Sequence, residues 1–210
     1  MDVFKISEPV SLLIGGAAIM LAFGSSYLIR GEIEVFAIVG IAAFLASIPH
    51  ELAHKYSAVR LGCYARYILS PVGLLITLVS AIPYLPIRFL MPGYVVVSSP
   101  YYDPVINKRV NGIVSYAGPL VNIVLGVASI LAYHFLLPWL INVYGLSYWI
   151  IVLAWFLTVN TQINGWVAVF NLLPIPPLDG SKIIVWKPLI WVIMIVAAGI
   201  ILYVGAVHMF

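Results

Sequence analysis

Five apolar stretches of membrane-crossing length, residues 10–29, 33–60, 110–137, 148–172 and 183–207, set the terms on which this chain can fold. A hydrocarbon layer about 30 Å thick is crossed by about 20 helical residues, and a backbone in lipid must satisfy its own hydrogen bonds. With 64% hydrophobic and only 8% charged residues, the chain also has too little polar surface to coat a water-soluble globule. The expected architecture is an all-α polytopic membrane protein, one domain over residues 1–210 with its core over about 33–184. Residues 10–29 have no basic leader and run directly into Arg30-Gly31-Glu32, so an uncleaved helix is expected there. The net charge of +3 comes from basic residues scattered between the apolar runs, which form no patch for nucleic acid. Cys63 is the single cysteine, which excludes an intrachain disulfide.

Residues 62–107, between the second and third runs, need a different structure. Residues 72–90 are just long enough to cross, but Pro71, Pro83 and Pro86 break them and leave an apolar centre of only 74–82. A re-entrant or β-hairpin segment is expected, with strand-like runs at 65–69 and 94–99. In that arrangement Lys5, Lys55, Arg60, Arg66, Arg88, Lys108, Arg109, Lys182 and Lys187 share one side of the membrane and Arg30 lies on the other. The positive-inside bias then places the N-terminus in the cytosol and the C-terminus outside, in a multi-pass protein of the cell membrane.

The second run carries the chemistry. His50-Glu51-Leu52-Ala53-His54 puts two imidazoles four residues apart on one helical face with a carboxylate beside them, the pattern of a zinc hydrolase. Residues 36–49 before it carry no charge, and ionisable groups at membrane depth persist where they compensate one another. A catalytic zinc takes three protein ligands, so a third is required. No glutamate follows Glu51, and Arg60 stands where an extended motif would place a third histidine. Cys63, Asp103, His134, Asp179 and His208 remain. Cys63 is too close in sequence to fold back, and His208 is in the tail. His134 suits a packed or interfacial histidine, and Asp103 in Tyr-Tyr-Asp-Pro a turn carboxylate. Asp179 follows a proline-rich stretch, residues 173–178, at the end of an apolar run, and unwound backbone at that depth is tolerated where it lines a cavity.

Three motifs together resemble the site-2 protease family of intramembrane zinc metalloproteases. They are His50-Glu51-Leu52-Ala53-His54, then Ala117-Gly118-Pro119-Leu120-Val121-Asn122, then Asn171-Leu172-Leu173-Pro174-Ile175-Pro176-Pro177-Leu178-Asp179-Gly180. The resemblance implies one zinc per chain held by His50, His54 and Asp179, with Glu51 as acid and base and Asn171 near the oxyanion or the substrate backbone. It also implies peptide-bond hydrolysis within transmembrane segments of membrane proteins in the lipid bilayer, as in regulated intramembrane proteolysis. The soluble domain that many members carry is not expected here.

A helical substrate hides its carbonyls and must unwind before cleavage, so an edge strand would help hold it. Tyr94, Val95, Val96 and Val97 are the candidates, with Asn122 and the turn of helix before it next in line. A metal transporter would need a polar path through the membrane, which the outer halves of these runs do not offer. A non-catalytic metal-binding membrane protein would have no need of Glu51.

Overall fold

The computed structural model describes residues 6–83, 85 and 88–207, so Lys5, Pro86 and His208 lie outside the described residues. The chain is an all-α polytopic membrane protein, and five helices among the described residues are long and apolar enough to cross a bilayer: Glu8–Ile29, Ile33–Arg60, Pro104–Tyr144, Tyr148–Asn171 and Pro188–Val207. The first two are α1 and α2. The third comprises α4 (Pro104–Leu131), a π-helical turn (Ala132–Leu136) and α5 (Leu137–Tyr144). The fourth is α6 (Tyr148–Asn171) and the last α8 (Pro188–Val207), preceded by the short helix α7 (Asp179–Trp186).

Two of the boundaries that differ from the sequence expectation do so for plain local reasons, while the third run continues past residue 137 to Tyr144. Asp103 is the N-cap of α4: its carboxylate accepts from Val105 N at 2.7 Å and Ile106 N at 3.3 Å, and Pro104 supplies the preset first helical φ. The helix therefore starts before residue 110, and Asp103 caps it. The apolar run expected from residue 183 is two helices, because Pro188 has no N–H to continue a helix and disfavours helical backbone at Lys187, which is extended with φ −147° and ψ 96°.

The segment between α2 and α4 is a hairpin with a re-entrant helix inside it. Strand β1 (Tyr64–Leu69) pairs antiparallel with β2 (Gly93–Ser98), from Tyr64 opposite Ser98 to Leu69 opposite Gly93. Between them lies α3 (Pro71–Val79), nine residues and about 14 Å long, too short to cross. Ser70 caps it by accepting from Gly73 N. The returning chain is tied to α3 through side chains: Thr77 Oγ1 accepts from Met91 N at 3.0 Å and Ser80 Oγ from Phe89 N at 2.9 Å. Irregular backbone thus finds partners without water.

Small residues let α2 sit deep in the bundle. Ala42, Ala43 and Ala46 are fully buried against Ile19 and Ala22 of α1 and Ile163, Val167 and Phe170 of α6. A second cluster locks α7 in place, with Ile183 packed on Ala168 and Leu172 and on Met194 and Ala198 of α8. The N-terminus of α1 is bound to the hairpin. Glu8 accepts from Lys55 Nζ at 2.6 Å and from Tyr67 N at 3.0 Å, so it joins α1, α2 and β1.

Candidate metal centre

His50 and His54 project from successive turns of α2 with their Nε2 atoms 3.0 Å apart and their rings nearly perpendicular at 84°. Asp179, the first residue of α7, reaches them from the far end of the chain. Its Oδ2 lies 3.5 Å from His50 Nε2 and 3.1 Å from His54 Nε2. The chain can return there because residues 172–178 are not helical, and because position 180 is a glycine: a Cβ there would collide with the main-chain oxygen of Leu172. All three side chains are buried, and one ligand atom from each lies within 4.8 Å of the others.

Hydrogen bonds fix what these nitrogens offer. Asn122 of α4 uses its amide hydrogens on Ala46 O at 2.8 Å and Asn164 Oδ1 at 2.9 Å, so its own oxygen faces His50 Nδ1 at 2.6 Å. His54 Nδ1 faces the main-chain oxygen of Val114 at 2.7 Å. Both partners only accept, so both histidines carry their proton on Nδ1 and turn an Nε2 lone pair inward. Two lone pairs and a carboxylate at these distances repel one another unless a cation lies among them. Two nitrogens and one oxygen, oriented from behind by hydrogen bonds, are a donor set that fits zinc.

Helix α4 forms the floor at Gly118. A Cβ on this residue would strike His54 Nε2 and come within 2.7 Å of His50 Nε2, the space a bound ion needs.

A cavity of about 630 Å³ opens onto these groups, lined also by Glu51, Asn171, Lys182 and Tyr94, Val95, Val96 and Val97 of β2. Asn171 donates one amide hydrogen to Val167 O at 3.0 Å, which leaves the rest of its amide for the cavity. Lys182 Nζ is 4.0 Å from Asp179 Oδ1 and half-exposed, so it adds little to the carboxylate's hold. Tyr67 of β1 is buried, and burial, with the charge of Glu51 added, pushes its phenol well above the usual range.

Asn122 does not face the cavity as a substrate group. It is fully buried and all of its hydrogen-bonding groups are engaged, so its place is behind His50. Among the other potential ligands, His134 sits in the π-helical turn with Nδ1 3.0 Å from Ile130 O, and Cys63 is buried in a cluster with Ala58, Ala65, Val110 and Val114. Gly118, Asn164 and Asn160 are the contributors that residue type alone does not reveal. Glycine and asparagine have many uses in a membrane helix, and only the neighbouring helix assigns one.

No family model matches the chain, and no solved structure matches it. A protein of Methanocaldococcus jannaschii named "Putative zinc metalloprotease" is 31% identical over 194 residues, covering 92% of this chain and 93% of its own length. That match spans nearly the whole of both chains, and by it the chain belongs to this family of zinc metalloproteases.

Proposed function

We propose that the protein is an intramembrane member of the site-2 protease family, hydrolysing peptide bonds within the transmembrane segments of other membrane proteins. The observation that carries this reading is depth: His50 lies about 25 Å along a membrane-length helix from Ile33, so a site built on it meets substrate inside the bilayer. In this reading His50, His54 and Asp179 hold one zinc, Glu51 is the catalytic acid and base, and Asn171 faces the substrate backbone.

The chemistry such an ion supplies is Lewis acidity toward the scissile carbonyl and its attacking water. Glu51 takes a proton as the water oxygen bonds to the carbonyl carbon, then gives it to the amide nitrogen as the C–N bond breaks. The free hydrogen of Asn171 is placed to steady the substrate carbonyl.

Substrate backbone is held by β2. Ser70 N bonds Pro92 O at 3.0 Å, which makes that pair one whose groups face each other across the ladder. Alternation from there turns the main-chain groups of Tyr67 outward on β1 and those of Gly93, Val95 and Val97 outward on β2. Glu8 closes the β1 edge by accepting from Tyr67 N. Among the described residues no strand lies beyond β2, so Val95 and Val97 can pair with an unwound substrate.

The basic residues on the hairpin side support an orientation with the catalytic mouth and N-terminus cytosolic and the C-terminus exterior. Glu51→Gln tests the whole reading. Cleavage of a transmembrane substrate should fall by about 100- to 10,000-fold while zinc content is unchanged, the contribution of a general acid–base group. Retained cleavage would exclude Glu51 as the base. Zinc uptake into vesicles that persists in Glu51→Gln, with no cleavage by the wild type, would favour a transporter.

A further inference from the structure

Behind His50 runs a chain of hydrogen bonds in which every donor points the same way. His50 Nδ1 gives to Asn122 Oδ1 at 2.6 Å, and Asn122 Nδ2 to Asn164 Oδ1 at 2.9 Å. Asn164 Nδ2 gives to Asn160 Oδ1 at 3.0 Å and to Asn160 O at 2.9 Å, and Asn160 Nδ2 to Ser129 Oγ at 2.8 Å. Ser129 Oγ closes the series on Leu125 O at 3.0 Å. All four side chains beyond His50 are buried, and α4 and α6 contribute two each.

We propose that Asn164 is a positioning residue for the metal centre, acting on His50 through Asn122. The inference rests on His50 being a metal ligand. His54 is oriented by the main-chain oxygen of Val114, which cannot turn round. His50 is oriented by a side-chain amide, which can. If the Asn122 amide rotated by half a turn, its NH2 would face His50 Nδ1, the imidazole proton would move to Nε2, and the lone pair that faces the centre would be lost. Two acceptors forbid that rotation, Ala46 O and Asn164 Oδ1. Ala46 lies on the same helix as His50, whereas Asn164 is fixed from outside α2 by its own bonds to Asn160. Aligned amide dipoles polarise one another, and in a bilayer no solvent competes for them. Asn164 thereby keeps His50 in the tautomer that binds metal.

The experiment measures Zn²⁺ affinity by chelator competition, and the visible spectrum of the Co²⁺-loaded protein, on the full chain in lipid nanodiscs. Asn164→Leu keeps the volume and removes the acceptor, and loss of a partner behind a ligand lowers metal affinity by about 10- to 100-fold. That fall is expected, with a changed Co²⁺ spectrum. Asn164→Asp, whose neutral carboxyl can accept from Asn122 and donate to Asn160, should recover most of the affinity. Thr161→Val removes a buried hydroxyl of the same helix that bonds only Leu157 O, and should leave both readouts unchanged. If Asn164→Leu does not fold, Asn164→Ala removes the acceptor without adding bulk and is read the same way. Wild-type affinity and spectrum in the acceptor-free variant, while His50→Ala loses zinc, would overturn the proposal. So would an equal loss in Thr161→Val. A wild-type chain that holds no zinc more tightly than His50→Ala fails the metal reading itself.

Discussion

Gly118 acts by having no side chain. The imidazoles of His50 and His54 lean onto its Cα, and a single methyl group there would press on both Nε2 atoms. Overpacking a tight site costs about 1–3 kcal/mol, so Gly118→Ala should weaken zinc binding by about 10- to 100-fold with helix content unchanged by circular dichroism. Asp179→Ala, which removes a ligand outright, should lose bound zinc on gel filtration and lose turnover with it. Full metal occupancy in that variant would remove Asp179 from the ligand set. The grouping of His50, His54 and Asp179 is legible in sequence because few residue types can hold a metal, and two of them recur at the i, i+4 spacing of one helical face. The groups that support them are not, because Gly118 and Asn164 take their meaning from a helix distant in sequence.

Among the elements, the hairpin separates what pattern reveals from what pairing decides. The runs at 65–69 and 94–99 are legible as strands from their valine and tyrosine content; the structure starts β1 one residue earlier and shifts β2 by one residue. Which backbone groups face the open edge follows only from the register. Val95 and Val97 turn theirs outward, and Val96 turns its own toward Arg66 of β1. The informative substitution is therefore Val95→Pro, which takes one donor from the open edge. With a hydrogen bond contributing about 1 kcal/mol, cleavage of a helical membrane substrate should fall several-fold, and that of a short extended peptide less. Val96→Pro instead breaks the ladder to β1, and should impair both substrates alike. Equal, mild effects of the two variants would mean that β2 does not hold substrate. The division of the last apolar run at Pro188 was present in the sequence as a proline, but hydropathy alone does not register a break between two apolar helices.

At the scale of the whole molecule, if the five candidate helices cross and the hairpin does not, Lys108 and Lys182 would lie on one face and Arg30 on the other. Cysteines placed singly at these positions in a Cys63→Ser background should react with an impermeant maleimide from opposite sides, Lys108→Cys and Lys182→Cys from the cytosolic side. Labelling of Lys108→Cys from outside would require α3 to cross after all. The crossings were readable because bilayer thickness imposes a length on them. The return of Asp179 to His54, more than a hundred positions away, could be anticipated only through zinc chemistry. That return makes the ion a clasp as well as a reagent. Helix α7 has eight residues, too few to be stable alone, with a proline-rich stretch before it and an extended residue after it. A metal shared between α2 and α7 is worth about 4 kcal/mol to the closed arrangement at a free concentration a thousand times its dissociation constant. Stripping zinc should accordingly speed amide hydrogen exchange across Asp179–Trp186 by up to about a thousandfold and leave the middle of α6 unchanged. The enzyme without its metal would then have lost the fastening that keeps one wall of its own reaction chamber shut.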